Sequence, residues 1–436
     1  MGLQGPATAE WFERGKAALV NGVSSGYRYW GDDDTIVIDR GEGAHVYDMD
    51  GNRYIDYHLG FGPIILGHGH PGVAAAVAES AAAGTTFAMT TAREIEAAEA
   101  FRGAVPWVDG LRFTNTGTEA TMHAIRLARA HTGRELVVKF EGAYHGAHDY
   151  VLFSVSGSPV GSLGSRRSPV PFQDSSGIPE VIRSLIRIVP FNDLEAMGQL
   201  FRREGHRIAA LIVEPVLGNF FGLMPDDGYL DGLRRICDEY GSVLIFDEVK
   251  TGFRMGLGGA AAHFGVVPDL ATYAKSMGNG FPVAAIAGRS EIIQDWADGG
   301  VMQAGTYSGN GIGVAAAKAT LDILSTGEPY VDVERTGTAL MRGVEGILAD
   351  EGVPGHIVGH WSMFGISFSD ESPHEYRDYA NHDEELYEEV IGGMIGRGVL
   401  PVDDAREPWF ISSAHSPEDV AVTLEAFRDA LRDAKG

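Results

Sequence analysis

The feature that most limits how this chain can fold is a set of short, continuously apolar runs, each closing on a carboxylate and separated by segments of helical period. "RIAALIVE" at 207–214 and "SVLIFDE" at 242–248 lack the alternation of a half-buried strand, so they read as strands covered on both faces, as in a parallel sheet between helices. Between them, "DGYLDGLRRICDEYG" places Leu230, Leu233, Ile236 and Cys237 on one helical face, with Gly241 as its C-terminal cap. This β-α-β unit predicts an α/β fold. Its ligand crevice should open beyond the carboxyl ends of the strands, where Glu214 and Asp247 fall.

The two ends of the chain are patterned differently. Residues 36–57, "IVIDRGEGAHVYDMDGNRYIDY", alternate like strands about an Asp50–Gly51 turn and predict a hairpin. From about residue 330, helical segments alternate with "MFGISFSD" and "PWFISSAH", which read as strands. The expected organisation is a large unit, 65–312, with a mostly parallel central sheet flanked by helices, and a smaller α+β unit drawn from both ends, 1–64 and 313–436.

Charge and composition exclude several roles. A net charge of −26 and the lack of a dense basic run leave little for nucleic acid or an anionic membrane to bind. Cys237 is the only cysteine, which rules out an intrachain disulfide and fits a reducing compartment. The first residues carry charge where a signal peptide needs an apolar core, and no run approaches the roughly 18 apolar residues of a membrane span. A cytoplasmic protein is expected.

Three further stretches bear on the crevice. In "PDLATYAKSMGNGFP" at 268–282, Lys275 lies among small and apolar residues just past a strand-like run, so it and Asp247 point into one space. A buried amine and a buried acid either form a structural ion pair or serve a common ligand. "LRFTNTGTEATMHAIRLARAHTG" at 111–133 reads as strand, turn and helix, with Thr116 and Glu119 as a capping box. The amides of Thr116, Gly117 and Thr118 at the positive helix end make either a phosphate-sized anion site or simply a capped helix. "VVKFEGAYHGAHDY" at 137–150 closes a strand with a turn carrying Tyr144 and His145, where an aromatic can stack on a flat ring or be an ordinary core tyrosine. Taken together, an amine for an aldehyde, an acid for a ring nitrogen and a cup for a phosphate describe a site for pyridoxal 5′-phosphate. His68 and His70 of "GHGHP" lack a further ligand at suitable spacing, so no metal is expected, and Cys237 reads as an inert core thiol.

"NTGTEATMHAIRLAR" at 115–129, "LIFDEVKTGFR" at 244–254, "YAKSMGNGFPVAAIAGR" at 273–289 and "AGTYSGNGIGVAAA" at 304–317 resemble, in this order, the class III aminotransferase family. The likeness runs from "NGVSSGYR" at 21 to "ISSAHSPEDV" at 411 and is strongest to the glutamate-1-semialdehyde 2,1-aminomutase subfamily. It implies the fold type I of pyridoxal-phosphate-dependent transferases and a homodimer with its active site at the subunit interface. By the same resemblance, Lys275 is the Schiff-base lysine and proton carrier, and Asp247 the partner of the pyridinium. Thr116, Gly117 and Thr118 form the phosphate cup, Tyr144 and Val249 cover the two ring faces, and His145 is a neighbour of the cofactor. Asn219 lies near the phenolic oxygen with Glu214 close by, and Thr306 reaches the phosphate of the other subunit. Arg28 matches the arginine that takes the substrate carboxylate, and Ser25 and Glu407 match positions beside the substrate.

Gly26, Phe61 and Gly311 depart from the aminomutase pattern, standing for a proline, a tryptophan and a proline at the expected entrance and roof. A looser lid suits an enzyme that releases a keto product. The expectation is therefore an aminotransferase that passes an amino group between an amino acid or amine and a keto acid through pyridoxamine phosphate. An aminomutase-type transfer within one molecule is the alternative. A protein that binds the cofactor without turnover is a third reading, which intact Lys275, Asp247 and Thr118 speak against.

Overall fold

In the computed structural model, which describes residues 2–436, the apolar runs form one seven-stranded sheet. Its strands are β1 (Gly110–Thr114), β2 (Leu136–Phe140), β3 (Ile186–Val189), β4 (Ile208–Val213), β5 (Val243–Glu248), β6 (Leu270–Tyr273) and β7 (Ala284–Gly288). They lie in the order β1-β7-β6-β5-β4-β2-β3. The pairs from β6 through β3 are parallel, and only β7 runs against its neighbours. Every residue of β2, β4 and β5 is buried, which is why these runs show no polar alternation.

The helix Tyr229–Tyr240 connects β4 to β5 and stops at Gly241, whose φ of 63° is the left-handed cap its glycine allows. Cys237 on its inner face is fully buried, and burial pushes its thiol pKa well up, away from reactivity. The helix Gly117–Thr132 lays Ala120, Ala124, Ile125 and Ala128 on the sheet, and these small side chains let it lie close.

The region predicted as a hairpin is a three-stranded meander, Ile38–Glu42, His45–Asp48 and Arg53–Asp56, whose second turn holds Gly51 at φ 85°. Val399–Leu400 adds a fourth strand parallel to Arg53–Asp56, so both chain ends share one sheet. A second small sheet combines His356–His360, Met363–Ser367 and Trp409–Phe410, the last two in the stretches expected as strands. Helices Glu328–Glu351, Glu384–Ile395 and Pro417–Ala434 complete this smaller α+β part.

Arg254 joins the two parts. Its fully buried guanidinium donates to the carbonyls of Gly62 (2.6 Å), Ile411 (2.8 Å) and Ser362 (3.1 Å), bonds that offset the cost of burying the charge. Among the described residues, no helix is long and apolar enough to cross a membrane.

Candidate active site

Because β1, β2, β4, β5 and β6 share one direction, the loops that leave their carboxyl ends meet in one crevice. Lys275 stands just past β6 and opens a short 3₁₀ turn, Lys275–Gly278, at φ 47°. A side-chain-bearing residue in this left-handed region is strained by about 1–2 kcal/mol, so neighbouring bonds must hold it. Ser276 donates to Gly62 O, and Asn279 ties Leu66 N to Gly67 O. The amine of Lys275 makes no hydrogen bond or ion pair with any described residue. Two other lysines drawn from water are fully engaged: Lys139 donates to Ala143 O and Phe153 O, and Lys250 to three oxygens. Burial first, and the nearby charge of Lys250 second, push the Lys275 pKa down to about 7.

The structural ion pair allowed for Asp247 and Lys275 does not form. Asp247 Oδ2 is 2.7 Å from His145 Nδ1, while Oδ1 accepts from Val249 N (3.1 Å) and Thr272 Oγ1 (3.3 Å). With the carboxylate 3% exposed and its contacts donated by protein, its direction is fixed by β5 and by the turn after β2. His145 is more than a bystander to this carboxylate, and its Nε2 is buried without a partner.

At the start of the helix Gly117–Thr132, Thr116 Oγ1 caps the amide of Glu119 at 3.1 Å. The expected capping box is only half made, because Glu119 Oε2 turns one residue further back to the amide of Asn115 (2.8 Å). The amides of Gly117 and Thr118, at the positive helix end, have no partner among the described residues. A Cβ on Gly117 would lie 3.0 Å from Val249 Cγ2, and one on Gly146 only 2.6 Å from Thr118 Oγ1. Both glycines thus let backbone approach where a side chain would fill the space. Thr118 Oγ1 accepts from Ala147 N, tying the helix start to the Tyr144–His145 turn. Thr306 is exposed in a neighbouring turn that Asn310 fastens to Asn115, and no contact brings its side chain into this chain's crevice.

The wall beside Asp247 is built on Glu214, which accepts from Tyr144 N (2.9 Å), Gly218 N (3.1 Å) and Asn219 Nδ2 (2.8 Å). Burial raises the Glu214 pKa. Asn219 Oδ1 in turn accepts from Lys250, a buried residue that no sequence motif singles out, and Lys250 also reaches Glu407. Tyr144, Asn219 and Glu407 line a cavity of about 220 Å³ with Tyr27, Trp30 and Phe61. Burial pushes the Tyr144 phenol up to about 12, so it stays neutral.

The substrate residues expected from sequence are not all gathered there. Glu407 lines this cavity, whereas Arg28 is exposed and lines an adjoining apolar cleft of about 490 Å³. Ser25 is half-buried and precedes the turn Gly26–Arg28 without a side-chain bond to it. Gly26 and Phe61 do line the roof, but Gly311 does not. It is buried, and an added Cβ would meet Ser80 Oγ at 2.9 Å and Gly84 O at 3.2 Å, so a larger residue at this helix start would press on its packed neighbours. His68, set aside as a metal ligand, is held by Asp56 at 2.7 Å.

An unpartnered amine, an acid aimed by a histidine and two free amides at a helix start fit pyridoxal phosphate in its three recognition points. Lys275 could hold the aldehyde carbon, Asp247 the ring nitrogen, and Gly117 and Thr118 the phosphate.

The comparisons agree with this chemistry. The model of the class III aminotransferase family matches residues 28–430. A glutamate-1-semialdehyde 2,1-aminomutase of Methanothermobacter thermautotrophicus is 44% identical, covering 98% of this chain and 99% of that protein. Among solved structures, an omega-transaminase from Sphaerobacter thermophilus superposes with a TM-score of 0.94 at 32% identity, over 99% of this chain and 98% of that one. A transaminase with pyridoxal phosphate bound gives 0.88 at 28% identity, over 98% and 97%. The chain belongs to the class III aminotransferase family. It is an enzyme of the fold type I transferases, and its cofactor is pyridoxal phosphate.

Proposed function

We propose that the chain moves an amino group on a small amino-acid substrate by an aminomutase-type transfer within one molecule, with glutamate 1-semialdehyde as the model substrate. The observation that carries amino-group chemistry is the unpartnered, neutral-leaning amine of Lys275 beside the buried Asp247. The aminomutase character rests on the relative that matches almost the whole chain at 44% identity. When bound, pyridoxal phosphate supplies an aldehyde that takes amines and a ring that accepts electrons released at a substrate carbon.

In this reading each residue has a separate task. The helix-start amides of Gly117 and Thr118 bind the phosphate, and Tyr144 and Val249 flank the ring. Asp247, aimed by His145, Val249 N and Thr272, holds a proton on the ring nitrogen as an ion pair. Lys275 Nζ would hold the cofactor's aldehyde carbon and, as a free neutral amine, would carry a proton from one substrate carbon to another position. Glu214 and Asn219 hold the wall beside the ring, and Arg28, exposed in the adjoining cleft, binds a substrate carboxylate.

An intermolecular aminotransferase is the second reading, favoured by the roof: Gly26 and Phe61 cover the cavity with less bulk than the proline and tryptophan expected of an aminomutase. Single amino acids, β-amino acids, amines and glutamate 1-semialdehyde are each added to the loaded enzyme. Its visible absorbance and the product masses are then followed. The first reading expects the semialdehyde to return as its positional isomer, 5-aminolevulinate, with no product released that has lost its amino group. Stoichiometric keto acid from an ordinary amino acid, or aldehyde or ketone from an amine, would move the assignment to the second.

A homodimer completes this proposal. Phe87, Met89, Met302 and Tyr307 are exposed apolar residues on two segments that the Gly311 N to Thr85 O bond holds side by side, next to Thr306. Such a patch calls for cover, and a second copy would bring Thr306 to the opposite phosphate. Sedimentation should give twice the 46.6 kDa chain mass, and a monomer with full activity would end the idea.

A further inference from the structure

Lys250 is 6% exposed and its ammonium is enclosed by protein oxygens: Gly218 O at 2.7 Å, Asn219 Oδ1 at 2.8 Å and Glu407 Oε2 at 2.5 Å. These acceptors use all three of its protons, so it has none left for a substrate. Its partners come from distant parts of the chain, since Gly218 and Asn219 follow β4 whereas Glu407 belongs to the C-terminal segment that walls the cavity. Removing one member of a buried ion pair leaves the other as an uncompensated charge, while removing both leaves none.

Building on the function proposed above, we propose that Lys250 is a positioning residue. It fastens Glu407 to the Gly218–Asn219 rim, and the fixed ion pair sets the electrostatic surroundings of the Lys275 amine. Lys250 and Lys275 leave the paired parallel strands β5 and β6 at the same end, each three residues past the Asp247–Thr272 pairing, and the charged groups around that amine are Lys250, Glu407, Glu214 and Asp247, with His145 bonded to the last of these. Lys250 favours the neutral amine and Glu407 the protonated one. Neither Glu214 nor Asp247 bonds to the pair directly, so charge changes at Lys250 and Glu407 should act with opposite sign.

The test uses the full-length chain stripped of cofactor and mixed with pyridoxal phosphate between about pH 5 and 10, following covalent uptake by absorbance. Uptake needs the neutral amine, so the wild-type rate should rise with pH and level off above a midpoint near the Lys275 pKa of about 7. Lys250→Met leaves Glu407 unopposed and should move the midpoint up by about half a unit or more. Glu407→Gln leaves Lys250 unopposed and should move it down by a similar amount. The double variant should return close to wild type, a compensation that mere structural damage would not produce. If Lys250→Met does not fold, Lys250→Gln keeps a donor without the charge and should shift the midpoint the same way. Shifts in one direction, no shift, or a double variant that fails to recover would overturn the role of Lys250 and leave the proposed function standing. A wild-type chain that takes up no cofactor covalently at any pH would overturn both.

Discussion

Lys275→Ala should fold normally, hold pyridoxal phosphate only reversibly and turn over about a thousandfold more slowly or worse, since anchor and proton carrier are lost together. The stability expectation follows from the free amine. Lys275 bonds to nothing in the protein, so alanine removes no partner and leaves no orphaned acceptor. Its depressed pKa also has a definite sign. With a folded value of about 7 against an ordinary 10.5, the unfolded chain binds more protons between those two pH values, so stability rises with pH across that window. Below it the lysine opposes folding. Compared as cofactor-free proteins at pH 7, the alanine variant should therefore melt no lower than wild type. Turnover within tenfold of wild type would remove Lys275 from the chemistry, and a large fall in Tm would give it a structural role instead.

The second large effect is expected at Asp247. Asn in its place keeps one oxygen to accept from the Val249 amide, and its NH2 can donate to His145 Nδ1 in the tautomer that leaves that nitrogen unprotonated, so the fold of the β5 end should survive. What it cannot do is balance a positive charge on a ring nitrogen beside this buried position. Turnover should fall by about 10²–10³, the usual weight of one preorganised electrostatic contact at a reacting centre. The loaded variant should also lose cofactor faster on dialysis, while its circular dichroism stays that of wild type. Unchanged turnover would show that the carboxylate serves only to anchor His145.

Much of the fold and of the crevice is legible in the order of the amino acids, for reasons that differ from place to place. β4 and β5 are visible because strands buried on both faces need apolar runs with no alternation, and the helix between them because Gly241 marks its end. The third strand of the meander hides inside a predicted hairpin, and Val399–Leu400 is too short to leave a periodic signal. Glu119 sits at capping-box spacing yet turns to Asn115, since spacing gives reach but not direction. Lys250 lies inside the family-like stretch at 244–254, where nothing in the local pattern marks it as buried. It is buried by Glu407, a partner from near the other end of the chain. Gly311 is misplaced at the roof for a related reason, because its neighbours Ser80 and Gly84 come from a segment far earlier in the chain.

The sharing of one sheet by both chain ends bears on synthesis. A ribosome releases the β1–β7 region, with Lys275 and Asp247 already encoded, long before Val399–Leu400 emerges to pair with Arg53–Asp56. The strand at 53–56 must wait with one edge uncovered, and the loop that finally closes spans most of the polypeptide, which makes this pairing slow. Glu407 arrives with that last segment, together with Val402, Asp403 and Asp404, which form one side of the cavity. A truncated translation product could fold the crevice floor yet would lack the side that Glu407 closes, so the substrate cavity is completed only when the whole message has been read.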